Sequence, residues 1–534
     1  MQKIIYIISL LFLVASCKKN NAIPPVVPPS PPPQNTKTPK LTTNPVSNLT
    51  SFSAVFGGKL VDTGGSNISR FGIVADTVHL PTIGKNYNQF PVSQLGADGS
   101  FSILVGYMPS NTTFYLRAYA INSTDTGYGN EVKFTTLTQK IYKGDVNLTT
   151  QQEAIDFGSQ HYTGIDGALN ISGTVSDLSS LLGLTSINNG FMVNNSQLSN
   201  FKGLDSLEVT GAVFPNGFFV QQNASLLNFA GLSKLKSTRG AVGIDHNNQL
   251  TSLKGLDNFA YANLGAVRIG ECPLLQSLDG LNNLSYIGQN LEIVNNATLN
   301  DIRGLSGLKK IEGSLVILNN SLLPNLNGLE QITLLPNGVS LSDNPVLQDI
   351  SALRNITDIK SAVGFGGINI SNNPVLTDLS AFSQIKSIDN ISIRNSPGLK
   401  SLKGFQNLQS ITLVLHLENN TGLTDMTGLD NLQKLGSLEL SDNPNIVNLK
   451  GFNSLTNLTR DSYSIAIERN SSLASLSGLD NLVSAKGMID ISFNTTLTNF
   501  CPLKKLFSSG FSQTLVIDRN AANPTPSQII SNCP

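Results

Sequence analysis

From Lys140 onward an asparagine returns about every two dozen residues, and a period of that length fits a stack of small units in place of one ordinary core. The anchors are Asn195, Asn223, Asn247, Asn296, Asn320, Asn344, Asn373, Asn420, Asn443, Asn470, Asn494 and Asn520, with Cys272 and Ser396 filling the two gaps in register. Three and five residues before an anchor stand apolar residues, as in Leu291 and Ile293 or Leu415 and Leu417. A spacing of two is that of a short strand with those side chains turned inward. After the anchor the apolar residues recur at every third position, as in Leu299, Ile302, Leu305, Leu308 and Ile311. Neither an α-helix nor a strand has that period; extended or 3₁₀-like turns with one side always facing in do. One coil cannot bury its column of Leu and Ile alone, so about fourteen coils at ~4.8 Å predict a rod of roughly 65 Å with a parallel sheet along one side. The asparagines have a structural reason to recur, because their amides can bond backbone groups at a tight corner and one another in a ladder.

Both ends of such an array need a lid. Thr149 to Phe157 reads as a short helix with capping-box spacing between Thr150 and Glu153, suited to cover the first coil. At the far end Cys501 and Cys533 bracket a cap of about residues 501–534, and in an oxidising compartment they are expected to be bonded. Cys272, in an anchor slot, is expected to pack as a small apolar residue. The stretch Gly167-Ala168-Leu169-Asn170-Ile171, followed by coils such as Leu299-Asn300-Asp301-Ile302-Arg303-Gly304-Leu305, resembles the receptor L domain and related bacterial leucine-rich solenoids. The resemblance covers most of residues 145–534, within a solenoid assigned to 141–534, and implies extracytoplasmic recognition through variable surface residues. No ligand-binding residue carries over from it.

Ahead of the array, residues 41–137 change to short alternating runs broken by Gly, Asn and Pro, the pattern of an Ig-like β-sandwich. Pro109 to Asn122 resembles the late-strand motif of fibronectin type III domains, and Gly129-Asn130-Glu131-Val132-Lys133-Phe134 their last strand, with Phe114 at the position of the corner tyrosine. The first 17 residues read as a targeting segment: Lys3, an apolar run from Ile4 to Val14 too short to span a bilayer, then Val14-Ala15-Ser16-Cys17. That tetrapeptide resembles the lipobox of bacterial lipoproteins, which implies lipidation at Cys17 and a chain anchored at the cell envelope, in the outer membrane, with its periplasmic or surface orientation open. Residues 18–40, rich in proline from Pro24 to Pro33, form a polyproline-type linker.

Lys+Arg and Asp+Glu both number 35 and tryptophan is absent, so the chain has neither a nucleic-acid footprint nor a polybasic membrane patch. Its four histidines, His79, His161, His246 and His416, are scattered, and the cysteines lack paired spacing, so no metal site or cofactor is expected. Residues two and four before each anchor fall on the outer side of the sheet. They give a candidate binding face of Phe191, Phe219, Arg268, Glu292, Val294, Val316, Leu318, Arg394, His416, Glu418, Glu439 and Glu468, apolar early and acidic late, with Val193 and Asp245 among its further members. The apolar part is either an exposed interaction patch or is covered by an insertion such as Thr210 to Gly217. Glu418 and Glu439, roughly 8 Å apart on adjacent coils with His416 beside them, have a spacing compatible with inverting-glycosidase carboxylates, so the alternative is a carbohydrate-active enzyme of parallel β-helix type, a polysaccharide hydrolase or lyase. The expectation is nevertheless a non-catalytic lipoprotein held by its lipid and binding a protein or glycan; a purely structural envelope protein is a third class.

Overall fold

The computed structural model describes residues 37–49, 54–84, 89–105, 108–138, 140–211, 217–359 and 366–534. Cys17, the targeting segment and most of the proline linker lie outside the described residues. The fold is mainly β, with antiparallel sheets followed by a parallel β-solenoid of about 15 turns. These are two compact units, meeting in sequence near Thr136 and Leu137.

In the first unit the alternating runs become two antiparallel sheets. Ala54–Asp62 pairs with Lys40–Thr43 on one edge and Ser100–Val105 on the other. Thr113–Ile121 pairs with Arg70–Asp76, Thr126–Tyr128 and Val132–Thr135, and Gln89–Pro91 extends the sheet beyond Arg70–Asp76. Alternation sends Phe56, Ile73, Leu116 and Ala118 into a core with no solvent exposure. Phe114 is buried there and stacks on Phe134, ring centres 5.6 Å apart.

In the second unit each coil adds one strand to a parallel sheet running from Val146–Leu148 to Leu515–Asp518. The stack begins two coils before the first anchor, since Val146–Leu148 and Leu169–Ile171 pair in register ahead of Phe191–Asn194. A second parallel strip of two- and three-residue strands, from Ile141–Lys143 to Lys310–Ile311, lines another side of the earlier coils. In later coils the strands lengthen to Ser387–Arg394, Ser410–Glu418 and Lys434–Ser441, bending where the pairing register shifts. The three-residue steps form the inner column: Leu299, Ile302, Leu305, Leu308 and Ile311 are all at most 1% exposed. Each fully buried Leu or Ile stabilises the stack by about 1.5–3 kcal/mol.

Local chemistry turns the coil back on itself. Gly428 sits at φ +112°, and a Cβ there would stand 2.2 Å from the Leu402 carbonyl oxygen of the coil before. Where the equivalent residue is Ala352, the chain takes a 3₁₀ turn over Ser351–Leu353. Each anchor satisfies its own corner. Asn320 donates its backbone N–H to Asn344 Oδ1 at 3.0 Å and its side-chain N–H groups to the Ile293 and Leu318 carbonyls at 2.9 and 3.1 Å, and accepts the Asn296 N–H at 3.3 Å. The file of amides ends at Asn520, whose N–H is taken by Asn523 Oδ1 at 3.0 Å. Cys272 fills its slot fully buried, and burial pushes its thiol up to about 12.

The lids are built from the ends of the chain segment. Helix Gln151–Ser159 starts with Thr150 accepting the Glu153 N–H while Glu153 accepts the Thr150 N–H, and it buries Ala154 on the first coils. A disulfide joins Cys501 to Cys533, tying the helix Lys504–Ser508 to the helix Pro526–Asn532.

Candidate binding face

The sheet alternates strictly, so which residues face out depends on the register of a single corner per coil. One position before each anchor the chain adopts the left-handed αL conformation, with φ between +49° and +59° at fourteen successive corners from Asn195 to Arg519. Asn and Asp tolerate this conformation best among non-glycine residues, and they hold eight of those corners. The αL residue points out, and its neighbour the anchor points in.

This corrects the reading of the first anchored coil. Val193 pairs with Val220, and Asn194 with Gln221, so the residue in register with Asn223 is Ser196, and Asn195 is the αL residue. Ser196 donates both its N–H and its hydroxyl to Asn223 Oδ1, at 2.9 and 2.7 Å. A slip of one residue moves every side chain of a strand to the other face. Phe191 and Val193 therefore point into the core with no exposure, and Phe191 packs its ring 5.3 Å from that of Phe218. Met192 and Asn194 take their places outside.

Phe219 does face outward, half-buried across Gly243. Val294 stands in the outward row between Gly270 and Leu318, yet it is only 5% exposed, and it is corrected to a buried position. Val316 and Leu318 remain half-buried on the surface. Of the insertion Thr210 to Gly217, only its ends Thr210, Gly211 and Gly217 are described, and residues 212–216 lie outside the described residues.

Arg268 is the centre of an ion cluster. Its Nε donates to Asp245 at 2.8 Å, and its two terminal nitrogens reach Glu292 at 3.4 Å and Glu271 at 3.6 Å; Glu271 also pairs with His246. A Cβ at Gly270 would lie 2.6 Å from the Asp245 carboxylate, so a larger residue there would have to displace it. Asp245 is 4% exposed, and burial pushes its carboxyl upward despite the guanidinium.

Farther along, His416 lies between two carboxylates: Nδ1 is 3.1 Å from Glu439 and Nε2 is 3.2 Å from Glu418. The hydrogen bond to Glu439 raises the imidazole above its usual 6.5, and the same bond holds Glu439 below 4.5. The imidazolium contribution to stability is therefore complete below about pH 6.5 and fades as pH rises through the folded value. The Glu439 contribution is complete above about pH 4.5 and fades as pH falls through its own folded value. A His416→Gln variant is accordingly expected to lose most stability, relative to the native chain, between about pH 4.5 and 6.5, with the gap closing toward pH 9. Urea midpoints across that range measure it; a gap that grows with pH contradicts the assignment.

Arg394 faces out one coil before His416, and no carboxylate pairs with it among the described residues; its Nε is buried without a hydrogen-bond partner. Glu468 is held by Arg469 at 2.6 Å, and Arg469 also reaches Asp442 at 2.9 Å. The structure thus brings His416, Glu418 and Glu439 together, and Arg268 with Glu292, but separates these two groups by the stretch of Ser340, Asn369 and Ser392. Sequence reasoning missed the αL row altogether. Its signal was the doubled polar residue at the corners, as in Asn295-Asn296, Asn319-Asn320, Asn372-Asn373 and Asn419-Asn420.

No family model matches the chain, and no curated protein does. Among solved structures, the sensor domain of the anti-sigma factor RsgI4 from Pseudobacteroides cellulosolvens matches 19% of this chain and 97% of its own, at 16% identity and a TM-score of 0.15.

Proposed function

We propose that the chain is a non-catalytic binding protein of the cell envelope that holds out the face of its solenoid to recognise a protein or a glycan. The finer reading joins a lipid anchor at Cys17, a proline linker, a fibronectin type III-like spacer and a receptor L domain-like solenoid. Among the described residues no helix is long and apolar enough to cross a membrane, and the anchor we propose is the lipid alone.

The observation that carries the reading is the outward row of the sheet, where successive coils hold half-buried charged and polar side chains in register on a rigid support. The carboxylates that would serve a hydrolase are engaged otherwise. A general acid needs a raised pKa, and Glu439 is held down by the imidazole that also binds Glu418. A protein and glycan array gives the test. Saturable binding that survives in the Glu418→Gln/Glu439→Gln variant, with no turnover of any bound polysaccharide by either form, is the expected result. Turnover that the double substitution abolishes overturns the reading, and so does the absence of any saturable ligand. Protease shaving of intact cells reports which side of the membrane the face addresses.

A further inference from the structure

On this face one stretch is unlike the rest: a shallow groove of about 600 Å³ follows the αL corners from Asp343 to Asp442. It is lined by the carboxamides of Asn372, Asn395 and Asn419 and by the carboxylates of Asp343, Glu418 and Asp442. Arg394 adds its unpaired guanidinium. Each of these groups is planar and presents two hydrogen-bonding atoms side by side, the geometry that meets a pair of neighbouring hydroxyls.

The amides are already aligned. Asn372 donates to Asp343 at 2.6 Å, Asn395 to Asn372 at 2.8 Å, and Asn419 to Asn395 at 2.7 Å. Each bond uses one of the two N–H groups of its donor, leaving the other, and a lone pair on each oxygen, at a fixed interval along the rod. A ligand meeting them does not have to order these side chains itself. On the opposite flank of the same amides, Pro345, Pro374 and Pro397 line a second hollow of about 410 Å³, so apolar ring surface adjoins the polar row.

We propose that this groove binds a neutral glycan lying along the solenoid axis, its hydroxyls on the amides, carboxylates and guanidinium and its C–H faces on the prolines. The proposal rests on the recognition reading above and names its ligand class. Five coils at ~4.8 Å give a track of roughly 19 Å, long enough for several sugar rings. The lining has no aromatic or large aliphatic side chain, the anchors on which a protein partner depends. Arg469 on Asp442 and His416 on Glu418 offset two of the three carboxylates, and Arg394 stands in the same lining as Asp343, so the groove carries little net charge and suits a neutral chain. Among the described residues no group of three His, Cys, Asp or Glu is placed to hold a metal ion instead.

The test is affinity electrophoresis and calorimetry of the full chain with three neutral glycans, a β-glucan, an α-mannan and a galactan, and with polygalacturonate as the acidic comparison. Binding of at least one neutral glycan, tighter for longer oligosaccharides, is expected. The Asn395→Ala/Asn419→Ala variant should weaken it about tenfold or more. The Asn295→Ala/Asn319→Ala variant removes the same kind of corner bond, 3.0 Å long and outside the groove, and should bind as the native chain does. Preference for polygalacturonate, equal loss in both variants, or no binding of any of the three neutral glycans overturns the proposal. In those cases a saturable protein ligand on the array leaves the recognition reading standing, whereas an empty array removes both.

Discussion

Asn320→Ala is expected to cost the solenoid about 3–5 kcal/mol, more than any exposed substitution on the same coil. The amide side chain is fully buried and serves three backbone groups at once: the Asn296 N–H, the Ile293 carbonyl and the Leu318 carbonyl. Truncation leaves all three without that partner in a dry corner, at about 1–3 kcal/mol for each buried group, the carbonyls toward the low end. The neighbouring Asn319→Ala is the control, because that amide is exposed and its bond to Asn295 Oδ1 at 3.0 Å competes with water; its cost should stay under about 1 kcal/mol. Guanidinium unfolding of both variants measures the difference. Since each coil contacts only its neighbours, a central defect should also broaden the transition by uncoupling the coils on either side. Equal midpoints for the two variants would mean that the buried file of amides is not what holds the corners.

That contrast between Asn319 and Asn320 also marks where the sequence stops being readable. The inner column was legible because its three-residue period matches no regular element, and Leu305, Leu329 and Leu429 are all fully buried. The direction of the outer face was legible wherever one asparagine stood alone or a pair could be aligned with many others. It failed at Asn195-Ser196, where two small polar residues could each fill the anchor slot and only cross-coil pairing of Val193 with Val220 decides between them. Val294 failed for a different reason: period gives the face a residue points to, but not how far its neighbours cover it. Register alone had set His416 beside Glu418 and Glu439, but the hydrogen bonds of that clamp and the ion pairs of Arg268 were beyond reach, being contacts between rotamers on adjacent coils. The groove beside Asn372, Asn395 and Asn419 needed the αL corner to be known first, since strand alternation continued from the inward Ile370 would have turned Asn372 inward in place of the anchor.

Breaking the Cys501–Cys533 bond should act at one end of the rod. The cysteines are 32 residues apart, and closing a loop of that length removes enough chain entropy from the unfolded ensemble to stabilise the cap by about 3–4 kcal/mol. The loop contains the last strand, Leu515–Asp518, whose inward Leu515 and Ile517 are only half-buried, and Asn523, which closes the amide file at Asn520. It also contains Lys504, whose ammonium donates to the Cys533 carbonyl at 2.8 Å. A Cys501→Ser/Cys533→Ser chain is therefore expected to lose amide exchange protection at Leu515–Asp518 and to be nicked by proteases between Ser509 and Pro534, while coils from Leu291 to Glu418 keep native protection. The loss should then creep inward as denaturant is added, because Ile489 and Ile491 inherit the open end once the final coil has left. Uniform loss of protection along the solenoid would contradict nearest-neighbour stacking. Unchanged protection at Leu515–Asp518 would instead mean that the packing of Ile529 and Leu506 holds the cap without the covalent bond.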